Sequence, residues 1–239
     1  MTFRNVPALD ARYWTAISCA SVFGANTGDF FAHDLGLGHT GGLLPLAVLF
    51  TALLFLEKRA TMRCYACYWL AIVIIRTAAT NVADFGTHDL QLDDVGVIVV
   101  LLGLLPAIVI TSETTSGPVG GAPPTDWHFW AAMMAAGTLG TAIGDAAADR
   151  IGLGLSTLIT VAVLASMLAL RSRVAWQTVA MYWVTVVAVR TAGTNVGDFI
   201  VVRHGLDLGL PLATALSGCA LLAAIVIGRR QPAASPARA

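Results

Sequence analysis

The sequence predicts an all-α, polytopic membrane helix bundle of about eight transmembrane helices. Three observations carry this. The 239 residues are 57% hydrophobic and 12% charged, with a mean hydropathy of +0.76, whereas soluble domains carry roughly 25% charged residues. Apolar runs near the ~20 residues needed to cross a bilayer recur along the whole chain. The few polar phrases inside those runs repeat, so they belong to the architecture.

The eight segments are expected near 12–33, 41–57, 65–87, 94–111, 127–148, 152–170, 174–202 and 206–228. The first follows Asp10 and Arg12 and carries Asn26 and Asp29 without a cleavage region, so it reads as a retained helix and not a leader. The second and fourth, LLPLAVLFTALLFL and VIVVLLGLLPAIVI, are almost wholly apolar and suit a lipid-facing position. The sixth and seventh are separated only by the basic turn 171–173, and the seventh is overlong. Between the fourth and fifth lies SETTSGPVGGAPPTD, residues 112–126, whose Gly, Pro, Ser and Thr content marks a linker. The expected division is a first four-helix repeat over 12–111, the linker 112–126, a second repeat over 127–228, and a tail over 229–239.

Two levels of repetition support that division. RTAATNVADF from Arg76 returns as RTAGTNVGDF from Arg190, identical at eight of ten positions, and Tyr68–Trp69 returns as Tyr182–Trp183. Trp14, Gly24 and Asp29 return as Trp130, Gly140 and Asp145. Within the first half, NTGDFFAHDLGL from Asn26 returns as NVADFGTHDLQL from Asn81, identical at seven of twelve. Each half therefore holds two related hairpins in parallel orientation, and each odd-numbered segment carries one aspartate near its end: Asp29, Asp84, Asp145 and Asp198. The small-residue pairs Gly24/Gly28, Ala79/Ala83, Gly140/Gly144 and Gly193/Gly197 allow close helix approach in lipid. They predict that the odd segments form an inner bundle.

Charges inside a bilayer are costly and face a bundle interior or a watery cavity. Asn26, Asn81 and Asn195 precede three of the aspartates by three residues, and Thr80 and Thr194 precede two by four. That spacing predicts an oxygen-rich stripe, the donor type that hard cations favour. The expected ion site is Asp29, Asp84, Asp145 and Asp198 with Asn26, Asn81, Asn195, Thr80 and Thr194. Arg76 and Arg190 are expected to pair with or gate the aspartates; an anion site built on the two arginines is a further option. His33 and His88, four residues past their aspartates, are candidate metal ligands at an external mouth, with His39 nearby. The Tyr–Trp pairs read as interfacial anchors, and Cys64 and Cys67 as ordinary cysteines despite their CxxC spacing.

The paired Gly-x-x-x-Gly-Asp phrases, GANTGD and GTAIGD, together with the two RTA phrases, resemble a family of bacterial multi-pass membrane-anchored proteins built from a tandem repeat of unknown function. The resemblance spans about 14–210. It implies a bacterial inner-membrane protein and no particular activity.

The expected function is transport of a small ion, foremost a divalent metal cation, with manganese, magnesium, iron and zinc not distinguished. The alternatives are a non-transporting sensor, assembly or scaffold protein, and an intramembrane redox protein with a bound cofactor. No Walker loop, dinucleotide fingerprint or nucleophile elbow is present, so an enzyme is not the leading reading. The expected partners are the lipid bilayer and a small ion, and not nucleic acid; the oligomeric state stays open. Lysines and arginines cluster at both termini and in the even-to-odd turns, placing both termini in the cytoplasm by the positive-inside rule.

Overall fold

A computed structural model describes residues 7, 9–59, 65–116, 123, 125–171, 178–202 and 205–230. Among these there is no strand. The chain forms helices α1 (Ala11–Asp29), α2 (Gly38–Gly41), α3 (Leu43–Arg59), α4 (Tyr65–Asp84), α5 (Asp94–Ser116), α6 (Trp127–Ile151), α7 (Leu153–Arg171), α8 (Val179–Val201) and α9 (Gly209–Arg230). Eight of these are long, and α2 is a single turn in the connection to α3. Helix α5 runs through Ser116 into the expected linker. Residues 117–122 and 231–239 lie outside the described residues, as does Cys64; Cys67 is disulfide-bonded rather than an ordinary thiol.

Side-chain caps fix three of the helix starts. Asp10 accepts hydrogen bonds from the backbone N–H groups of Arg12 and Tyr13 at 2.9 and 3.1 Å. Asp126 accepts from Phe129 N–H at 3.0 Å, and Thr178 from Met181 N–H at 3.3 Å. Each cap satisfies donors that the first helical turn cannot. Thr178 also explains why the overlong seventh segment begins at Val179. At the other end, α1 and α4 widen into matching turns over Phe30–Asp34 and Phe85–Asp89. There Leu35 N–H reaches the Phe30 carbonyl at 3.0 Å and Leu90 N–H the Phe85 carbonyl at 2.9 Å. Both turns are followed by a left-handed residue, Gly36 at φ 65° and Gln91 at φ 53°. The repeated phrase thus codes for the same wide helix exit twice.

Helices α1, α4, α6 and α8 pack in a closed ring, α1 on α4, α4 on α6, α6 on α8 and α8 on α1. The outer helices cover this ring with an offset: α3 lies on α4, α5 on α6, α7 on α8 and α6, and α9 returns to α1. Each two-helix unit therefore lends its outer helix to the next inner one, which interlocks the units. Six helices are long and apolar enough to cross a membrane: α3, α4, α5, α7, α8 and α9. Of these spans, α4 and α8 are 72% and 56% buried, while the four outer ones are between 6% and 17% buried. Leu44, Phe55, Val100, Leu158 and Leu222 project outward from them. A surface this apolar belongs in lipid, and the chain is a multi-pass membrane protein. Helices α1 and α6 carry more polar residues and fall outside that set of six, yet both sit in the inner ring.

Glycines set the ring's diameter. A Cβ at Gly24 would stand 2.5 Å from Arg76 Cβ, one at Gly140 2.6 Å from Arg190 Cβ, and one at Gly193 2.5 Å from Ser21 Cβ. One at Gly137 would meet Ala79 Cβ at 2.7 Å. These contacts cover all four interfaces of the ring. By contrast, a Cβ at Gly103 on α5 meets nothing within 4 Å. Gly24→Leu and Gly193→Leu are expected to cost about 3 kcal/mol or more through overpacking. Gly103→Leu is expected to melt like the parent. Detergent melting curves of the three variants check this; equal losses at all three would refute a ring held by close backbone contact.

Candidate functional site

The ring encloses polar layers stacked along its axis. At the end where α1, α4, α6 and α8 begin, each helix supplies an aromatic pair: Tyr13–Trp14, Tyr68–Trp69, Phe129–Trp130 and Tyr182–Trp183. All eight side chains are buried. The hydroxyls of Tyr13 and Tyr68 lie 3.0 Å apart, and those of Tyr13 and Tyr182 2.6 Å apart. Edge-on ring contacts such as Phe129–Trp130, with centroids 5.0 Å apart, fill the layer. The expectation of interfacial anchors is thus corrected: these rings plug the bundle. Tyr13 and Phe129 were legible as the residues preceding Trp14 and Trp130, but their match to Tyr68 and Tyr182 shows only when all four helices are aligned.

Above the plug lie the two arginines, both fully buried. Arg190 reaches from α8 to the other three inner helices. Its Nε donates to Thr141 Oγ1 of α6 at 2.9 Å, its Nη1 to the Ser21 carbonyl of α1 at 2.9 Å, and its Nη2 to Thr80 Oγ1 of α4. Thr194 Oγ1 donates to Thr141 Oγ1 at 3.5 Å in the same layer. Arg76, the counterpart of Arg190 in the other half, makes no hydrogen bond through any of its three side-chain nitrogens among the described residues. Neither arginine forms an ion pair with an aspartate among the described residues; the ion pairs present are Arg12–Asp10, His39–Asp89 and His128–Asp126. The expected Arg–Asp bridges are absent because the carboxylates sit about two helical turns further along the same helices.

The next layer is a cavity of about 730 Å³. Asp29, Asp84, Asp145 and Asp198, one from each inner helix, all line it, together with Thr80, Thr141 and Thr194. Arg190 interacts electrostatically with all four carboxylates from below. The mouth is lined by His33, His39, His88, Asp94 and Asp149. His39 Nδ1 lies 3.1 Å from Asp89 Oδ1, and its ring centroid is 5.7 Å from that of His33 and 6.0 Å from that of His88. Among the described residues no three His, Cys, Asp or Glu side chains converge as metal ligands would. His33 and His88 thus share the rim without a ready-made chelate.

The asparagines stand apart from the cavity. Asn26 Nδ2 donates to Ser217 Oγ of α9 at 3.4 Å, and the Asn26 backbone carbonyl accepts from Thr214 Oγ1 at 3.2 Å. Asn195 Nδ2 donates to Ser156 Oγ of α7 at 2.5 Å and to Thr160 Oγ1 at 3.3 Å. Asn81 is buried beside Gly42, the residue that opens α3, with no hydrogen bond from its side chain. Successive helical residues are about 100° apart. In the Thr-Asn pairs 80–81 and 194–195, the threonine therefore faces the axis and the asparagine faces the outer helix. Asn26 and Asn195 fasten outer helices to inner ones, and none of the three asparagines is among the residues that line the cavity.

If Arg190 braces the ring, its bond to Thr141 should show coupling. Arg190→Gln and Thr141→Val, singly and together, form a double-mutant cycle in detergent melting. A coupling energy of about 1.5 kcal/mol or more is expected for a hydrogen bond from a charged donor; additive losses would count against the brace.

The chain matches the family described as "Repeat of Unknown Function (DUF347)" over residues 12–62, 128–176 and 181–232. Each matched stretch covers one inner helix and the outer helix that follows it. No curated protein and no solved structure matches. With three copies of the repeat covering more than half of its length, the chain belongs to the DUF347 repeat family.

Proposed function

We propose that this protein is an inner-membrane transporter of a small cation, with a divalent metal ion as the expected cargo. The observation that carries the reading is that one carboxylate from each inner helix lines a single cavity. Four carboxylates above one arginine leave three formal negative charges unmatched when all are ionised. Like charges crowded in a site of low dielectric favour a counter-cation. The aspartates and histidines of the rim raise cation concentration at the entrance. The lack of a converged chelate suits a cargo that enters with part of its water shell, as magnesium does, and that binds loosely enough to leave.

In this reading all eight long helices cross the membrane as two parallel four-helix repeats, each made of two related hairpins. Both termini face the cytoplasm, because Lys58, Arg59, Arg63, Arg171, Arg173, Arg229 and Arg230 fall at that end. The acidic cavity then opens to the outside, and the aromatic plug closes the cytoplasmic side. Transport requires the plug to open while the cavity closes. A single cysteine introduced near Ala239 should resist an impermeant thiol reagent in intact cells. Labelling from outside would reverse the orientation.

The site itself is tested with purified protein titrated with manganese, magnesium, calcium and zinc, and with flux in proteoliposomes. Asp84→Asn and Asp198→Asn keep side-chain shape and remove charge. Each is expected to weaken binding about tenfold or more, equivalent to 1.4 kcal/mol, and to abolish flux while the protein stays folded. Folded variants with unchanged binding and flux would leave the aspartates without a transport role.

A further inference from the structure

The two arginines are counterparts in sequence but not in surroundings. Arg190 has three hydrogen bonds and interacts with four carboxylates. Arg76 is equally buried, and among the described residues its Nε, Nη1 and Nη2 have no hydrogen-bond partner. The groups that act on it electrostatically are Arg190 and the hydroxyl-bearing Tyr13, Tyr68 and Tyr182. Arg76 thus has the tyrosines of the aromatic plug among its electrostatic neighbours. Thr77, the next residue, is also buried with its hydroxyl unbonded.

An arginine stays protonated in proteins, and burying one without a partner is strongly unfavourable. Water could satisfy its N–H groups but could not offset the like charge of Arg190 nearby. In a medium of low dielectric that repulsion is large. An anion offsets both costs, and the Arg76 N–H groups and the Thr77 hydroxyl, without partners among the described residues, are donors for it. Among the described residues no carboxylate forms an ion pair with Arg76, so the compensating charge is sought outside the chain. One unmatched positive charge calls for a monovalent ion, and the ring of close-packed helices and the aromatic layer favour a small one.

We propose that Arg76 holds a small monovalent anion of the halide class, between the arginine layer and the tyrosine hydroxyls. This site is separate from the acidic cavity, on the other side of Arg190. It does not depend on what the cavity carries.

The test starts with the unmodified protein in detergent, exchanged into sodium gluconate and titrated with sodium chloride, sodium bromide or sodium sulfate at constant ionic strength. Chloride and bromide are expected to raise the melting temperature by several degrees with saturation, and sulfate is not. Crystals grown in bromide are expected to show an anomalous peak beside the Arg76 guanidinium. Arg76→Gln should abolish the halide shift, while Asp84→Asn, which alters only the acidic cavity, should retain it. If the parent shows neither a halide-specific shift nor a bromide peak, Arg76 is satisfied by water and the proposal is wrong. A shift that survives Arg76→Gln would place the halide elsewhere and overturn it equally.

Discussion

The guanidinium of Arg190 is the constraint around which the inner helices are arranged. A charged group in the middle of an apolar bundle must find acceptors within the protein. Arg190 finds one on each of α1, α4 and α6. Three helices can reach a single side chain only if all four backbones stand close to a common axis. The glycines at positions 24, 137, 140 and 193 make that approach sterically feasible. The aspect of the sequence that looks least economical, an arginine in a hydrophobic helix, therefore explains the small residues around it. In lipid, where apolar packing has no water to flee, such polar ties and close van der Waals contacts supply the association energy.

The same side chain organises the electrostatics. By standing beneath the cavity, Arg190 offsets part of the charge of four carboxylates without bonding to any of them. The carboxylates stay available to a ligand, which an Arg–Asp fork would prevent by occupying both oxygens. The asparagines take the opposite role. They stand at the same depth as the aspartates but turn outward, and Asn26 and Asn195 bond to serines of α9 and α7. One turn of α1 and one of α8 thus serve two neighbours, the cavity through the aspartate and the outer helix through the asparagine.

Much of this arrangement was legible in the sequence. The helices fall close to their expected spans because hydropathy reports burial in lipid directly. The four aspartates share a cavity because each lies near the end of an inner helix and the four inner helices pack side by side in one ring. What escaped was azimuth. Asn-x-x-Asp spacing turns the two residues about 60° apart, and only the position of the outer helix decides which of them faces the axis. The aromatic pairs escaped for a related reason. Tyrosine and tryptophan near a helix start fit a membrane interface as well as a plug, and the difference is whether the helices beside them close over the rings. The offset packing of the outer helices was harder to read, since α3 and α5 are almost wholly apolar and only a few hydroxyls, such as Ser156 of α7 and Ser217 of α9, mark an inward face.

The broken equivalence of the two halves is the feature with the greatest mechanistic reach. Arg76 and Arg190 begin nearly identical ten-residue phrases, yet only one guanidinium can occupy the axis. The position it takes is determined by neighbours that are not duplicated. Thr141 of α6 accepts from Arg190, whereas the residue 116 positions earlier is Ala25, which has no hydroxyl to offer Arg76. A single missing oxygen thus directs one arginine to the thread of threonines under the cavity and leaves the other toward the plug. The bundle acquires a polar axis from helices that all run the same way: carboxylates at one end, tyrosines at the other, and two cations between them in unequal environments. The presence of threonine at position 141 and alanine at position 25 thus goes with two arginines in unlike surroundings, one braced among threonines and one beside the tyrosines.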